Sequence, residues 1–430
     1  MPERERIASA KARPKRAHNP RMHPDSIDLC DLDRFATGFP HETFRWLRDE
    51  APCFWQRPTA HTPDGEGFWV VSRHADALAV FLDPRTFSSV GGGARKQGGT
   101  FLQDTPVAGL MLNMLDDPRH TRMRGLVNKG FTPRVIARLE PDLRRRARAI
   151  VDAVADSAEC EFVGDVARDL PLQAICMLLG VPQEDRKELC DCVDTAFDYA
   201  GRALGEQNDA SRAATGRLIG YAESLIAAKR REPGDDMLSV VIHAELPGEA
   251  APRLGDDELR NFFMLLFTAG SETTRKAIAG AAMELAAQPA QLELLRSEPA
   301  RIPVAVEEIV RWTTPSVYKR RTATRDAELH GQTIRAGDKV TVWEMSANRD
   351  ERVFAEPFRF DLGRDPNPHI AFGQGVHYCL GANLARLEIR VFFEELIRLF
   401  AGFEPAGPHT FTRDNRLFGL KSLPVRAIPR

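Results

Sequence analysis

Phe372-Gly373-Gln374-Gly375-Val376-His377-Tyr378-Cys379-Leu380-Gly381 places a cysteine at the end of a glycine-rich loop, where a strongly helical stretch begins. A thiolate is favoured near a helix N-terminus, because the dipole and the free backbone N–H groups stabilise negative charge there. Gly373 and Gly375 let the chain turn tightly enough to bring those N–H groups towards the sulfur. A thiolate presented in this way can serve as an iron ligand. A single cysteine among seven is more often a buried apolar group. The ten-residue pattern, with Phe372 ahead of the glycines and His377 two positions before Cys379, favours ligation instead.

A second constellation lies in Phe267-Thr268-Ala269-Gly270-Ser271-Glu272-Thr273-Thr274, midway along the most apolar helical segment. Small Ala269 and Gly270 leave room for a flat group against the backbone, with an acid and a hydroxyl beside it. A carboxylate in an apolar helix is costly without a partner. Glu272 is therefore either functional or on a solvent-facing turn, paired with Arg275 or Lys276 as i,i+3 or i,i+4 neighbours. Glu308 and Arg311 form another i,i+3 pair, of a kind common as surface decoration. His120 and Arg124 stand at i,i+4, share a helix face and could grip one carboxylate together.

FGQGVHYCLG followed by ANLAR resembles the haem-binding loop of the cytochromes P-450, and AGSETT resembles the oxygen-activating kink of that family's central helix. EEIVRW lies where the family has its ExxR helix, and DDPRHTRMRGLVNKGF is similar to its propionate-binding helix. The likeness runs from the helix near residue 40 to the final LKSLPVR. It implies the cytochrome P-450 fold, with Cys379 as the metal ligand of haem b (iron protoporphyrin IX). Ala269, Phe372, Gly373, His377 and Gly381 would contact the cofactor. His120, Arg124, Arg321 and His369 would hold its propionates, although His369 could equally cap the approaching loop. Thr273 would steer protons to dioxygen, and Glu272 would relay them from solvent. Glu308 and Arg311 would be a buried structural brace, completed by Arg359 or a neighbour.

The same resemblance implies a haem-thiolate monooxygenase, because an axial thiolate pushes electron density to the iron and favours O–O cleavage. The sequence has no flavin or nicotinamide fingerprint and no cluster-forming cysteine set, so electrons are expected from a ferredoxin and ferredoxin reductase. Arg119, Arg122, Lys129, Arg134, Arg386 and Arg390 form either a solvated face or a patch that steers an acidic ferredoxin. The expected substrate is a hydrophobic small molecule such as a steroid, terpenoid or branched lipid. Its pocket would be built from 88–113, 195–215, Phe263, Phe267, Ala269, 316–318, Leu417 and Phe418. Alternatives are tailoring of a secondary metabolite (a polyketide or a carrier-bound amino acid), a peroxide-driven enzyme and a non-enzymatic sensor.

Positioning these groups calls for a large core, which 430 residues at 43% hydrophobic content can supply. The net charge of −2 argues against a nucleic-acid binder. The absence of CxxC pairs argues against disulfides and zinc and fits a reducing cytoplasm. Residues 1–25 read as a mobile basic tail with no membrane span, and 26–430 as a single catalytic domain. The pattern predicts a mainly α fold with small β-sheets. Helices are expected over 168–180, 183–200, 207–231, 256–287 and 380–398, besides the amphipathic face of Leu139, Leu143, Ala147, Ile150 and Val154. Strands are expected near Phe54, at 67–71, and at 318–322, 327–335 and 338–343. Residues 88–100 are too glycine-rich for either element and read as a flexible loop.

Overall fold

The computed structural model describes residues 23–128, 130–155, 159–198, 202–204, 206–246 and 253–430. Nearly all of the basic tail, Lys129 and the Pro247-Gly248 turn lie outside the described residues. The helices that carry the interior are α1 (Arg119–Asn128), α2 (Glu140–Ala155), α3 (Asp169–Leu179), α4 (Arg186–Phe197), α5 (Asp209–Arg231), α6 (Asp256–Ala287), α7 (Ile302–Thr313) and α8 (Ala382–Leu399). The strands used below are β1 (Cys53–Gln56), β2 (Phe68–Val71), β3 (Phe87–Ser88), β4 (Glu159–Glu161), β5 (Tyr318–Ala323), β6 (Ala327–Leu329), β7 (Gln332–Ile334), β8 (Lys339–Trp343), β9 (Phe400–Pro405) and β10 (Pro424–Pro429).

α6 is the axis of the molecule. Asp256, Asp257 and Glu258 crowd its first turn, where the helix dipole favours carboxylates, and Glu258 accepts the Gly255 N–H at 3.0 Å. Phe262, Phe263, Phe267, Ile278 and Leu285 then bury it among α3, α5, α7 and α8. Gly270 is where α3 comes closest: a Cβ there would meet Ile175 at 3.0 Å. The room expected at this glycine is thus taken by helix packing, and the open position beside it is Ala269.

The strands expected near Phe54 and at 67–71, 318–322 and 338–343 join β3 in one five-stranded sheet of order β1-β2-β8-β5-β3, in which β2 and β8 run parallel. The stretch expected as a strand over 327–335 is a hairpin, β6 and β7, that turns at His330-Gly331, both with positive φ. β4 and β9 flank β10 in a further three-stranded sheet. Residues 88–100 do not form a free loop. Gly92 and Arg95 bridge each other, and Arg95 bonds Asp104 and Glu66. A side chain at Gly92 would collide with the Ala323 carbonyl of β5.

Behind the cysteine loop, Glu308 and Arg311 of α7 are fully buried and bidentate, at 2.7 and 2.8 Å. Arg311 also donates to the carbonyls of Asn348 (2.8 Å) and Pro357 (3.0 Å). Glu308 accepts from Asp361 N, Arg364 Nε and Asn367 Nδ2 at 2.9 to 3.1 Å. The side chain that completes this brace is therefore Arg364; Arg359 contributes its carbonyl. A buried ion pair is tolerable when its remaining donors and lone pairs are matched, as here.

Candidate functional site

The loop that presents Cys379 closes on itself. Cys379 N–H donates to the Phe372 carbonyl at 2.8 Å, and Gly373 N–H to that of Ile370 at 2.8 Å. Gly373 and Gly375 have φ of 69° and 72°, a backbone that only glycine adopts without strain. A Cβ on Gly375 would stand 2.7 Å from the Phe81 carbonyl. Phe372, His377, Cys379, Leu380 and Gly381 are all half-buried, and Phe372 and Leu380 pack against the main core.

Helix-end stabilisation of the thiolate is not sufficient. Burial pushes the Cys379 thiol up, and the Gly381 N–H, Lys319 and Arg124 offset this only in part. A coordinated metal ion would hold it deprotonated. Among the described residues no cluster of three or more His, Cys, Asp or Glu side chains could hold a bare ion. A metal at Cys379 would bring its other ligands with it, as haem does.

Four donors converge beside the loop. His120 of α1 and His377 stack with ring centroids 4.2 Å apart. Arg124, one helical turn on, donates to the Tyr378 carbonyl at 2.5 Å. Arg321 of β5 is 5% exposed and lies 5.6 Å over the Phe81 ring. Burial, reinforced by Arg321, His120 and Arg124, pushes His377 down to about 2. Burial and Arg124 likewise depress His120. Both imidazoles are thus neutral, and His377 Nε2 meets Ser89 Oγ at 3.1 Å.

Neither ring nitrogen of His120 has a hydrogen-bond partner, although the residue is 2% exposed. An orphaned buried donor costs about 1 to 3 kcal/mol, so this cluster is built for acceptors from a ligand. Two propionates fit that chemistry. His369 does not join the cluster. Its Nε2 meets Glu307 Oε2 at 3.0 Å, and Glu307 is gripped by Arg386 at 2.6 and 2.8 Å. His369, expected as a propionate donor, is thereby corrected: Glu307, next to the buried brace, draws it away.

Across from the loop, Ala269 is exposed at the middle of a buried helix, and Thr273 Oγ1 donates to its carbonyl at 2.8 Å. Such back-bonding competes with the helical ladder at that carbonyl. Glu272 is 5% exposed and paired with Arg275 at 2.6 Å, with Lys276 Nζ at 4.0 Å. The i,i+3 partner expected on a wet turn is therefore present, but inside the protein. Arg275 continues to Asp194 of α4 at 2.7 Å.

A cavity of about 160 Å³ is lined by Phe101, Gln103, Leu204, Tyr318, Asp414, Arg416 and Leu417. Phe101, Gln103, Leu204, Tyr318 and Leu417 belong to segments expected to line a pocket. Phe263 and Phe267 do not line it: both are fully buried and stacked 5.5 Å apart in the core. The basic face is partly spent in ion pairs, Arg119 with Glu258, Arg386 with Glu307, and Arg390 with Glu140 and Glu394. Sequence reasoning missed Ser89, Lys319 and Glu344. For Lys319 a signal existed, since it stands two residues from Arg321 on a strand and so on the same face.

A family model described as cytochrome P450 matches residues 167–427. This chain belongs to the cytochrome P450 family. It is 57% identical over 401 residues to a Mycobacterium tuberculosis protein named cytochrome P450 126, covering 93% of this chain and 97% of the relative. It is 39% identical over 414 residues to a methyl-branched lipid omega-hydroxylase of M. tuberculosis, covering 93% and 94%. A solved Mycobacterium marinum cytochrome P450 in complex with pseudoionone superposes with a TM-score of 0.84 at 35% identity, covering 94% of this chain and 98% of that one. The chain is thus a cytochrome P450 monooxygenase, an oxidoreductase with a haem-iron cofactor that uses O2, a redox partner and hydrophobic substrates. Among the described residues no helix is long and apolar enough to cross a membrane.

Proposed function

We propose that this P450 holds haem b through Cys379 and inserts one oxygen atom into a C–H bond of a methyl-branched hydrophobic chain, with electrons from a ferredoxin and its reductase. When bound, the haem supplies reductive activation of O2. His120, Arg124, Arg321 and His377 would hold the propionates, and exposed Ala269 leaves the helix surface open to the cofactor. Phe372, Gly373 and Gly381 shape the loop that would bring Cys379 to the cofactor. Thr273 holds a proton at Oγ1, parked on the Ala269 carbonyl. Glu272, freed from Arg275, would take a proton from solvent and relay it inward.

The observation that carries this reading is the orphaned His120 beside His377, Arg124 and Arg321, next to a half-buried Cys379. The substrate class is supported by an omega-hydroxylase of methyl-branched lipids and by a neighbour that binds the branched terpenoid ketone pseudoionone. Steroids whose side chain ends in a branched alkyl group belong to the same class. The ferredoxin is supported by the absence of flavin and nicotinamide motifs in the sequence. We take residues 26–430 as one catalytic domain and 1–25 as a basic tail. The described cysteines are free, in keeping with a reducing cytoplasm.

The test is a titration of the haem-loaded protein with a methyl-branched fatty acid, an acyclic terpenoid ketone and a sterol, each beside a straight-chain control. A conversion of ferric iron to high spin by the branched ligands, followed by NADH-dependent product carrying one atom of heavy O2, is expected. Turnover sustained by peroxide and indifferent to the redox partner would instead favour the peroxide-driven reading.

A further inference from the structure

Side chains alternate along β5, so Tyr318 and Arg320 face one side and Lys319 and Arg321 the other. Arg320 is buried on Asp104 and the carbonyls of Phe101 and Leu102. Arg321 belongs to the donor cluster at His377, so Lys319 faces the cysteine loop too. Lys319 Nζ donates to Ser316 Oγ at 2.7 Å and to Glu344 Oε2 at 2.6 Å. Glu344, directly after β8, is fully buried, and its Oε1 has no hydrogen-bond partner. A Cβ on Gly373 would lie 3.8 Å from that oxygen. The carboxylate therefore stands against the loop that carries Cys379.

An ion pair with one partner buried and the other 30% exposed is a poor device for stability, since burying the carboxylate offsets the attraction. This one has a different use. The Cys379 sulfur feels both of its charges, Lys319 favouring the thiolate and Glu344 opposing it. Burial raises Glu344, and Lys319, Arg321 and the Gly373 N–H offset this only in part, so the carboxylate depends on Lys319 for its charge.

Resting on the haem reading above, we propose that the Lys319–Glu344 pair sets the reduction potential of iron bound at Cys379. Reduction takes one electron from the redox partner and makes or breaks no bond. The fixed Glu344 charge opposes that added electron, and Lys319 limits the opposition. Glu344 is fully buried and Lys319 is 30% exposed, so salt screens the carboxylate less than the ammonium. Both are positioning residues, acting on the iron through the field at the loop.

The test is a spectroelectrochemical titration of haem-loaded wild type, Glu344→Gln, Lys319→Met and the double variant. Glu344→Gln should shift the ferric–ferrous equilibrium towards ferrous by about tenfold, ~59 mV for one electron. Lys319→Met should move it by a similar factor the other way, and the double variant should return towards wild type. Haem transfer to apomyoglobin should be unchanged. Unmoved potentials, or shifts of the same sign, would overturn the proposal. So would Lys319→Met losing haem while Glu344→Gln leaves the potential alone, since Lys319 would then be a propionate donor. If Lys319→Met does not fold, the isosteric Glu344→Gln still gives the sign. A wild type without the thiolate carbon-monoxide signature would refute the haem reading itself, a separate result.

Discussion

Arg275 donates to Glu272 across 2.6 Å within α6, and the same guanidinium reaches Asp194 of α4 at 2.7 Å. The acid assigned to proton delivery is thus tied to a neighbouring helix. Burial opposes the Arg275 charge, but Glu272 and Asp194 outweigh it and hold it firmly protonated. Arg275 therefore donates no proton itself; Glu272, a carboxylate in this pair, takes one up from solvent once Arg275 swings off and then passes it on. Glu272→Gln should slow product formation by roughly 10²-fold with haem retained. Thr273→Ala should keep NADH consumption and divert it to peroxide. Normal coupling in both variants would remove these residues from the relay.

Glu308→Ala leaves the Arg311 guanidinium buried without its counter-ion. Unfolding in urea should show a loss of about 3 to 5 kcal/mol, with haem lost as a consequence of unfolding. A variant that folds normally and slows only turnover would make the pair catalytic instead.

Acid stability has a named contributor in Glu307. Burial alone would raise it, but hydrogen bonds from Arg386 and His369 outweigh this and pull it down to about 2. A carboxylate depressed on folding stabilises the protein above its unfolded pKa and loses that contribution as pH falls from 4.5 towards 2. Glu307→Gln should cost up to about 3 kcal/mol at neutral pH and flatten the acid limb of the stability curve. An unchanged acid limb would place that sensitivity elsewhere.

His120→Phe separates ligand binding from folding. It removes two orphaned nitrogens, so the apoprotein should gain about 1 kcal/mol in thermal or urea unfolding. The loaded protein should release haem roughly 10- to 100-fold faster, because a hydrogen bond to a charged group is lost. Loss of apoprotein stability with unchanged haem release would contradict the propionate assignment.

Local chemistry was legible in the sequence and distant pairing was not. Helices expected over 168–180, 207–231 and 256–287 correspond to Asp169–Leu179, Asp209–Arg231 and Asp256–Ala287, because periodicity and caps are properties of adjacent residues. The turn of the cysteine loop is local in the same sense. The parallel pairing of Trp69 with Val340 is not, nor is the bond from Arg275 to Asp194. His369 was misplaced because its partner, Glu307, lies on another element. Phe263 and Phe267 have the apolar spacing of either a pocket or a core, and periodicity cannot choose between them. Glycine composition misread 88–100, where Gly92 serves close backbone packing rather than freedom.

The central claim is that Cys379 binds haem iron as a thiolate, and the difference spectrum of reduced protein with carbon monoxide tests it most directly. Wild type should give the red-shifted Soret band of thiolate ligation, and Cys379→Ala should lose it while keeping the fold. A folded, haem-loaded wild type showing only the unshifted band of a neutral ligand would contradict the account.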